Sequence, residues 1–251
     1  MSKLRTRHQH AVDHLGRWIA GGRFGPDAAM PTELELGEDL GVSRTVVREA
    51  MRTLVAKGMV EVRRRHGTRV RPLRDWNLFD PQVLAWRLER GLTPDFVEDL
   101  VAFRLGFEPL AASLAARNPD FPAGTLDDAY ARMAAAVDGH GSYHEADLAF
   151  HETILAGARN QFLHHLAPFL TNALRMSFNL SVLNLDTARA ALPLHRAVAD
   201  AILRKDPEEA AAALGTLIES ARLDILVGLE EQDRGRSNAD EEGGRQPVQA
   251  T

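Results

Sequence analysis

Residues 32–71 place two capped, amphipathic helical stretches on either side of a glycine turn and then change to a period of two, and few folds accept that order. Thr32 reads as the N-cap of a short helix carrying Leu34, Leu36 and Leu40, and Gly41 ends it. Ser43 caps the next helix, which runs to about Lys57 and stops at Gly58. Val60 and Val62 then alternate with charge, as do Arg69 and Arg71 around Val70, and His66-Gly67-Thr68 between them reads as a hairpin turn. Upstream, Val12, Leu15, Trp18 and Ile19 form a helical stripe that stops at Gly21-Gly22. Three helices followed by a hairpin predict a winged helix-turn-helix over residues 1–74.

From Asp75 onward the period of two vanishes. Helices are expected at about 80–91, 94–117, 123–138, 143–158, 160–184, 187–204 and 207–230. Pro81, Pro94, Pro122 and Pro207 each sit near an expected helix start, where a missing N–H costs least. The fold class is therefore mainly α, with an all-α helical bundle over residues 75–230 behind the winged domain. Residues 231–251 are rich in Asp, Glu, Gly, Gln and Asn and are expected to be a disordered tail.

The charge divides along the same line. Residues 1–75 carry 15 Lys and Arg against 9 Asp and Glu, whereas the remaining 176 carry 15 against 26, so only the N-terminal part suits a phosphate backbone. The absence of cysteine excludes disulfides and thiolate metal sites. The basic start of the chain lacks a signal-peptide core, and no window approaches the roughly 18 apolar residues of a membrane span, so a cytoplasmic location without a membrane partner is expected.

On a helical wheel at about 100° per residue, Arg44, Arg48 and Arg52 share one face while Val46, Val47, Ala50 and Leu54 occupy the opposite one. Arg44 and Arg48 lie near the helix start, where a guanidinium can donate two bonds to guanine O6 and N7. Ser43, Thr45 and the first helical amides suit phosphate oxygens, as does Arg52. Arg63, Arg64 and Arg65 lead to His66 and Gly67 at the wing tip, which can enter a minor groove or follow the backbone.

The stretch GRFGPDAAMPTELELGEDLGVSRTVVREAMRTLVAKGMVEVRRRHGTRV resembles the DNA-binding domain of GntR-family regulators, in the proline before the second helix, the Gly-Val-Ser-Arg turn and the Val-Arg-Glu-Ala run. The resemblance implies a transcriptional regulator that binds a palindromic operator as a homodimer, with Thr32 among the DNA-facing residues. Regulators of the FadR subfamily often carry an arginine where this chain has Leu34, so the contact made from the second helix differs here.

In the helical part, Asp147 and His151 are spaced i, i+4 on a face that also carries Tyr143, Phe150 and Ile154. His195 lies among Ala191, Val198, Ala199 and Ile202 on another helix. Burying a carboxylate and an imidazole without partners costs several kcal/mol, roughly, so compensation is required. Two readings follow: the Asp and His satisfy each other by hydrogen bonds, or two His and one Asp hold a divalent transition metal such as zinc, manganese or nickel. Arg104 faces inward beside Val97, Leu100, Val101 and Ala111, and an interior arginine needs an anion. Glu108 one turn away can supply it, or a ligand carboxylate can, held bidentately.

The segment from Asp147 through Phe150-His151 to Asn160, and then His195, is similar to the FCD effector domain of the FadR subfamily. That resemblance implies a metal on Asp147, His151 and His195, with a third His on the last helix and Arg104 receiving the effector; Asn172 could add hydrogen bonds. Here Leu217 stands where that third His would be, which implies a three-ligand site completed by water or effector oxygens. DWNLFDPQVLAWRLERG after the wing resembles the linker of sugar-acid-responsive members such as galactonate repressors. A repressor released by a small carboxylate or sugar acid is the expectation.

Two rivals use the same residues: a regulator for which the metal itself is the signal, and a metal-dependent enzyme with Glu152 as general base. Against the enzyme, Leu155 occupies the position at which a zinc-protease helix has its second His, and Glu152 points about 100° away from His151. No enzyme is expected. His140, His144, His164 and His165 are expected at the solvated surface.

Overall fold

A computed structural model describes residues 3–180 and 185–243. The chain forms two compact units, 1–91 and 92–251.

The first unit contains α1 (Lys3–Ala20), α2 (Glu33–Leu40), α3 (Arg44–Ala56), β1 (Val60–Arg63), β2 (Gly67–Val70) and α4 (Pro81–Leu88), with one turn of 3-10 helix at Leu73–Asp75. Thr32 and Glu35 make a reciprocal capping box at the start of α2, and Gly41 ends that helix at φ 63°, a left-handed conformation that glycine adopts at no steric cost. Ser43 Oγ accepts from the Val46 amide at 3.4 Å and starts α3. Val47, Ala50 and Leu54 of α3 are fully enclosed against Leu15 of α1 and Leu36 of α2. The strands pair antiparallel with Val60 opposite Val70 and Arg63 opposite Gly67. The hairpin connection is thus residues 64–66, with Gly67 already in β2, rather than His66-Gly67-Thr68.

The expected boundary after residue 74 lies instead after residue 91. α4 is part of the first unit because Trp86, 2% exposed, packs against Gly16 of α1 and its Nε1 donates to Asp13 Oδ1 at 2.9 Å. Asp80 caps α4 and also takes the half-buried Lys57 ammonium from the end of α3. These are long-range contacts between helices that sequence spacing does not display.

The second unit contains α5 (Pro94–Arg117), α6 (Ala123–Val137), α7 (Tyr143–Gly157), α8 (Gln161–Leu180), α9 (Leu185–Leu203) and α10 (Pro207–Gly243). Its core joins Phe107 and Ala111 of α5, Leu126 and Met133 of α6, Phe150 and Ile154 of α7, Ile202 of α9 and Leu214 and Ile218 of α10. α5 packs on α7, α9 and α10, which leaves these four helices around one interior region. The helix expected at 160–184 is described to Leu180, and residues 181–184 lie outside the described residues. α10 continues through 231–243, where a disordered tail is expected from composition. Once a helix is nucleated each further residue adds a backbone hydrogen bond, and Arg234 pairs with Glu230 one turn back. Residues 244–251 lie outside the described residues. No described helix is long and apolar enough to cross a membrane.

A Cβ at Gly16 would lie 2.4 Å from the Trp86 ring, which is only 2% exposed. Gly16→Ala is expected to destabilise the first unit by about 1–3 kcal/mol through overpacking. Thermal denaturation should show a lower midpoint, and an unchanged one would contradict the close α1–α4 packing.

Candidate functional site

Two regions concentrate polar side chains, one exposed in the first unit and one buried in the second. On α3, Arg44, Thr45, Arg48 and Arg52 are all exposed. Arg44 Nε donates to Glu33 Oε2 at 2.8 Å and Arg52 Nη1 to Glu49 Oε1 at 2.8 Å, while Arg48 stands 3.9 Å from the same Glu49 oxygen. Exposed pairs of this kind contribute about 0–1 kcal/mol, so a phosphate or base edge can displace them. The Thr32 hydroxyl donates to Glu35 Oε2 at 2.9 Å, and Ser43 is engaged as the α3 cap. His66 and Gly67 are exposed at the hairpin tip. Leu34, 62% exposed on α2, leaves a large apolar side chain at the surface of the same unit.

In the second unit, Asp147 and His151 of α7 and His195 of α9 converge, with a ligand atom from each within 4.8 Å of the others. His195 Nδ1 lies 2.9 Å from the Ala191 carbonyl, which can only accept, so this nitrogen carries the hydrogen. Nε2 stands 2.8 Å from Asp147 Oδ1, as a hydrogen-bond donor to the carboxylate or, with an ion between the two, as a ligand through its lone pair. Two neighbouring ligands of one ion bound at about 2.1 Å are about 3 Å apart, so this spacing fits a shared metal. His151 Nδ1 stands 2.7 Å from Glu108 Oε2, off the direction of an aligned hydrogen bond, which leaves its Nε2 for a metal. An imidazole held by a carbonyl or a carboxylate through its other nitrogen is the usual support of a metal-ligating His. The donor set fits a divalent transition metal.

Glu108 links this cluster to Arg104. Arg104 Nε donates to Glu108 Oε1 at 2.6 Å, and both side chains are almost completely enclosed. Burial raises the Glu108 pKa, but Arg104 and His151 together outweigh that and bring it down to about 2. Burial also works against the Asp147 carboxylate, and the hydrogen bond to His195 with nearby positive charge holds its pKa below the usual range. Arg104, Asp147, His151 and His195 line one cavity of about 860 Å³, whose walls include Val97, Val101 and Leu217. Among the described residues the terminal nitrogens of Arg104 have no hydrogen-bond or ion-pair partner.

Two family models match this chain: bacterial regulatory proteins of the gntR family over residues 7–70, and the FCD domain over residues 99–220. The HTH-type transcriptional regulator YieP of Escherichia coli is 36% identical over 217 residues, covering 83% of this chain and 91% of its own. The chain belongs to the GntR family. The galactonate operon transcriptional repressor of Escherichia coli is 32% identical over 210 residues, covering 82% of this chain and 91% of its own. The solved structure of Lar from Listeria monocytogenes superposes with a TM-score of 0.61 at 14% identity, covering 90% of this chain and 97% of its own, which is a likeness of fold. This GntR regulator, with its FCD domain, is therefore of the FadR type and is a DNA-binding transcriptional regulator rather than an enzyme.

Within the regulator, the structure brings Arg104, Asp147, His151 and His195 together but leaves two candidates aside. Asn172 does not line the cavity; its amide donates to the Pro168 carbonyl of its own helix at 2.8 Å. Glu152, the general base of the enzyme reading, accepts from Thr171 at 2.6 Å and also lies off the cavity, because one residue past His151 is a different helix face. Leu217 does face the cavity, buried at 4% exposure, in keeping with a site of three protein ligands. Sequence spacing missed the second role of Glu108, which became visible only when α5 and α7 packed together. His144 is half-buried and lines the cavity instead of lying on the solvated surface.

Removing the Glu108 charge leaves Arg104 buried without its anion. Glu108→Gln is expected to cost about 3–5 kcal/mol, the range for a broken buried ion pair. Urea denaturation at neutral pH measures it, and a loss below about 1 kcal/mol would mean that the pair is solvated.

Proposed function

We propose that this regulator is a repressor, released from a palindromic operator when its FCD domain takes up a small carboxylate or sugar acid beside a metal held by Asp147, His151 and His195. The observation that carries the reading is Arg104: a fixed cation in the cavity, 4% exposed, with Nε spent on Glu108 and its terminal nitrogens unengaged by described residues. Such a group suits bidentate recognition of a carboxylate. A metal on the adjacent cluster supplies positive charge for further ligand oxygens. The relative named for galactonate supports a sugar acid, and the one named for D-xylose utilisation in Paenarthrobacter nicotinovorans supports a sugar-type ligand more broadly.

On the DNA side, the start of α3 enters the major groove with Arg44 and Arg48 at base edges, Ser43, Thr45 and Arg52 at phosphates, and the His66-Gly67 tip alongside. Thr32 acts by holding α2 in place through its cap. A homodimer supplies two such heads to an operator of matching symmetry.

Binding an operator selected from a random duplex pool tests the DNA assignments. Arg48→Ala should weaken it by about 1–3 kcal/mol and relax the preference at one base pair, whereas Arg52→Ala should reduce the salt dependence by about one unit of slope without altering preference. Equal effects on all sequences from both variants would remove the base-reading role of Arg48.

Thermal denaturation of the full chain tests the effector reading. Metal removal by chelation should lower the midpoint, and aldonates or hydroxy acids should raise it, since ligand at 100 times its dissociation constant stabilises by about 2.7 kcal/mol. Arg104→Ala should abolish the acid-dependent rise. Persistence of that rise would place the acid elsewhere. If metal alone releases the operator in full, without any acid, the metal is the signal.

A further inference from the structure

One polar atom in the FCD cavity is used neither by the metal-type cluster nor by carboxylate recognition. Tyr143 opens α7, is 7% exposed and lines the cavity, and among the described residues its enclosed hydroxyl has no hydrogen-bond partner. Its ring packs edge-on to His195, with centroids 6.4 Å apart, a contact that phenylalanine would make equally well. The hydroxyl is therefore superfluous for packing and unfavourable to bury unless something in the cavity meets it. Burial, and after it the negative charges of Asp147 and Asp224, push its pKa well up, so the phenol remains an O–H donor.

Its position along the cavity specifies what could meet it. Tyr143, Asp147 and His151 are spaced i, i+4, i+8, successive steps of about 6 Å along one face of α7. His151 shares Glu108 with Arg104, which sets the carboxylate end at the His151 level. Tyr143 stands two steps away, with Asp224 of α10 lining the same cavity and close enough to act on the phenol. A ligand anchored at Arg104 reaches Tyr143 only if it is elongated, and satisfies it only if its far part is polar.

We propose that Tyr143, with Asp224 beside it, reads hydroxyl groups along the far part of the effector, so that the cavity selects a polyhydroxylated monocarboxylate over an alkyl carboxylate of equal length or a short 2-hydroxy acid. The proposal rests on the carboxylate role given to Arg104. The phenol donates to a ligand hydroxyl oxygen, and the Asp224 carboxylate accepts a ligand O–H.

Calorimetric titration of the full chain with a panel of five- and six-carbon aldonates, hexanoate and lactate tests it. At least one aldonate should bind at least about tenfold more tightly than hexanoate or lactate. Tyr143→Phe should lose about tenfold in affinity for that aldonate, leave hexanoate unchanged, and melt no lower than the unsubstituted protein when ligand-free. Arg104→Ala should lose every acid. Unchanged aldonate affinity in Tyr143→Phe, with binding lost in Arg104→Ala, would overturn the role of Tyr143 and keep that of Arg104. Hexanoate binding as tightly as the aldonates would do the same. Failure of every acid to bind the unsubstituted chain, or undiminished binding to Arg104→Ala, would overturn both. Loss of bound metal from Tyr143→Phe, measured by elemental analysis, would assign the phenol to the metal and overturn the proposal.

Discussion

Glu108 carries the second domain: a single carboxylate, 1% exposed, lies between the Arg104 guanidinium and the His151 imidazole. Taking an arginine out of water costs several kcal/mol unless a partner with good geometry compensates it. Glu108 supplies that partner, and its other oxygen lies 2.7 Å from His151 Nδ1. Asp147 and His195 form a second such couple, anchored by the Ala191 carbonyl. Four helices must keep their spacing for these contacts to persist, and groups that cannot be covered by aliphatic side chains leave a cavity where a uniformly apolar bundle would close.

The first domain solves the opposite problem. Its core is wholly apolar around Leu15, Leu36, Val47 and Leu54, and its charges are spread over exposed arginines whose pairs with Glu33 and Glu49 are weak enough to exchange for DNA. Rigid capping by Thr32 and Ser43 holds the arginine face in one orientation before any DNA arrives. One domain therefore has an easily exchanged surface, and the other a costly interior that a ligand can complete.

Features set by neighbours on the same helix were legible in the sequence. The caps, the Gly41 turn, the arginine face and the shared inward face of Asp147 and His151 all follow from local spacing, and Arg104–Glu108 stood among the open readings for the same reason; that Asp147 pairs with His195 and not with His151 does not. Features set between helices were not legible. The docking of Trp86 on Gly16, the approach of Glu108 to His151 and the lack of a partner for the Tyr143 hydroxyl among the described residues depend on which turns of separate helices meet. Tyr143 could be assigned to the inward face by its i, i+4 relation to Asp147, yet nothing in its spacing marked it as unpartnered. Asn172 shows the converse: an amide at the edge of an apolar face was satisfied by its own helix. The helical course of 231–243 was hidden because composition reports the lack of a core, not the local continuation of a helix already begun.

If the cavity controls the arginine face, ligand and operator must oppose each other by the same factor, because coupling between two binding sites is reciprocal. The direct measurement is the affinity of the effector acid for the free regulator and for the regulator saturated with operator, by titration under identical salt. The account predicts weaker acid binding to the operator complex, by the same ratio that the acid weakens operator binding. Equal acid affinity in the two states would contradict it, leaving the buried cluster as a structural feature without control over DNA.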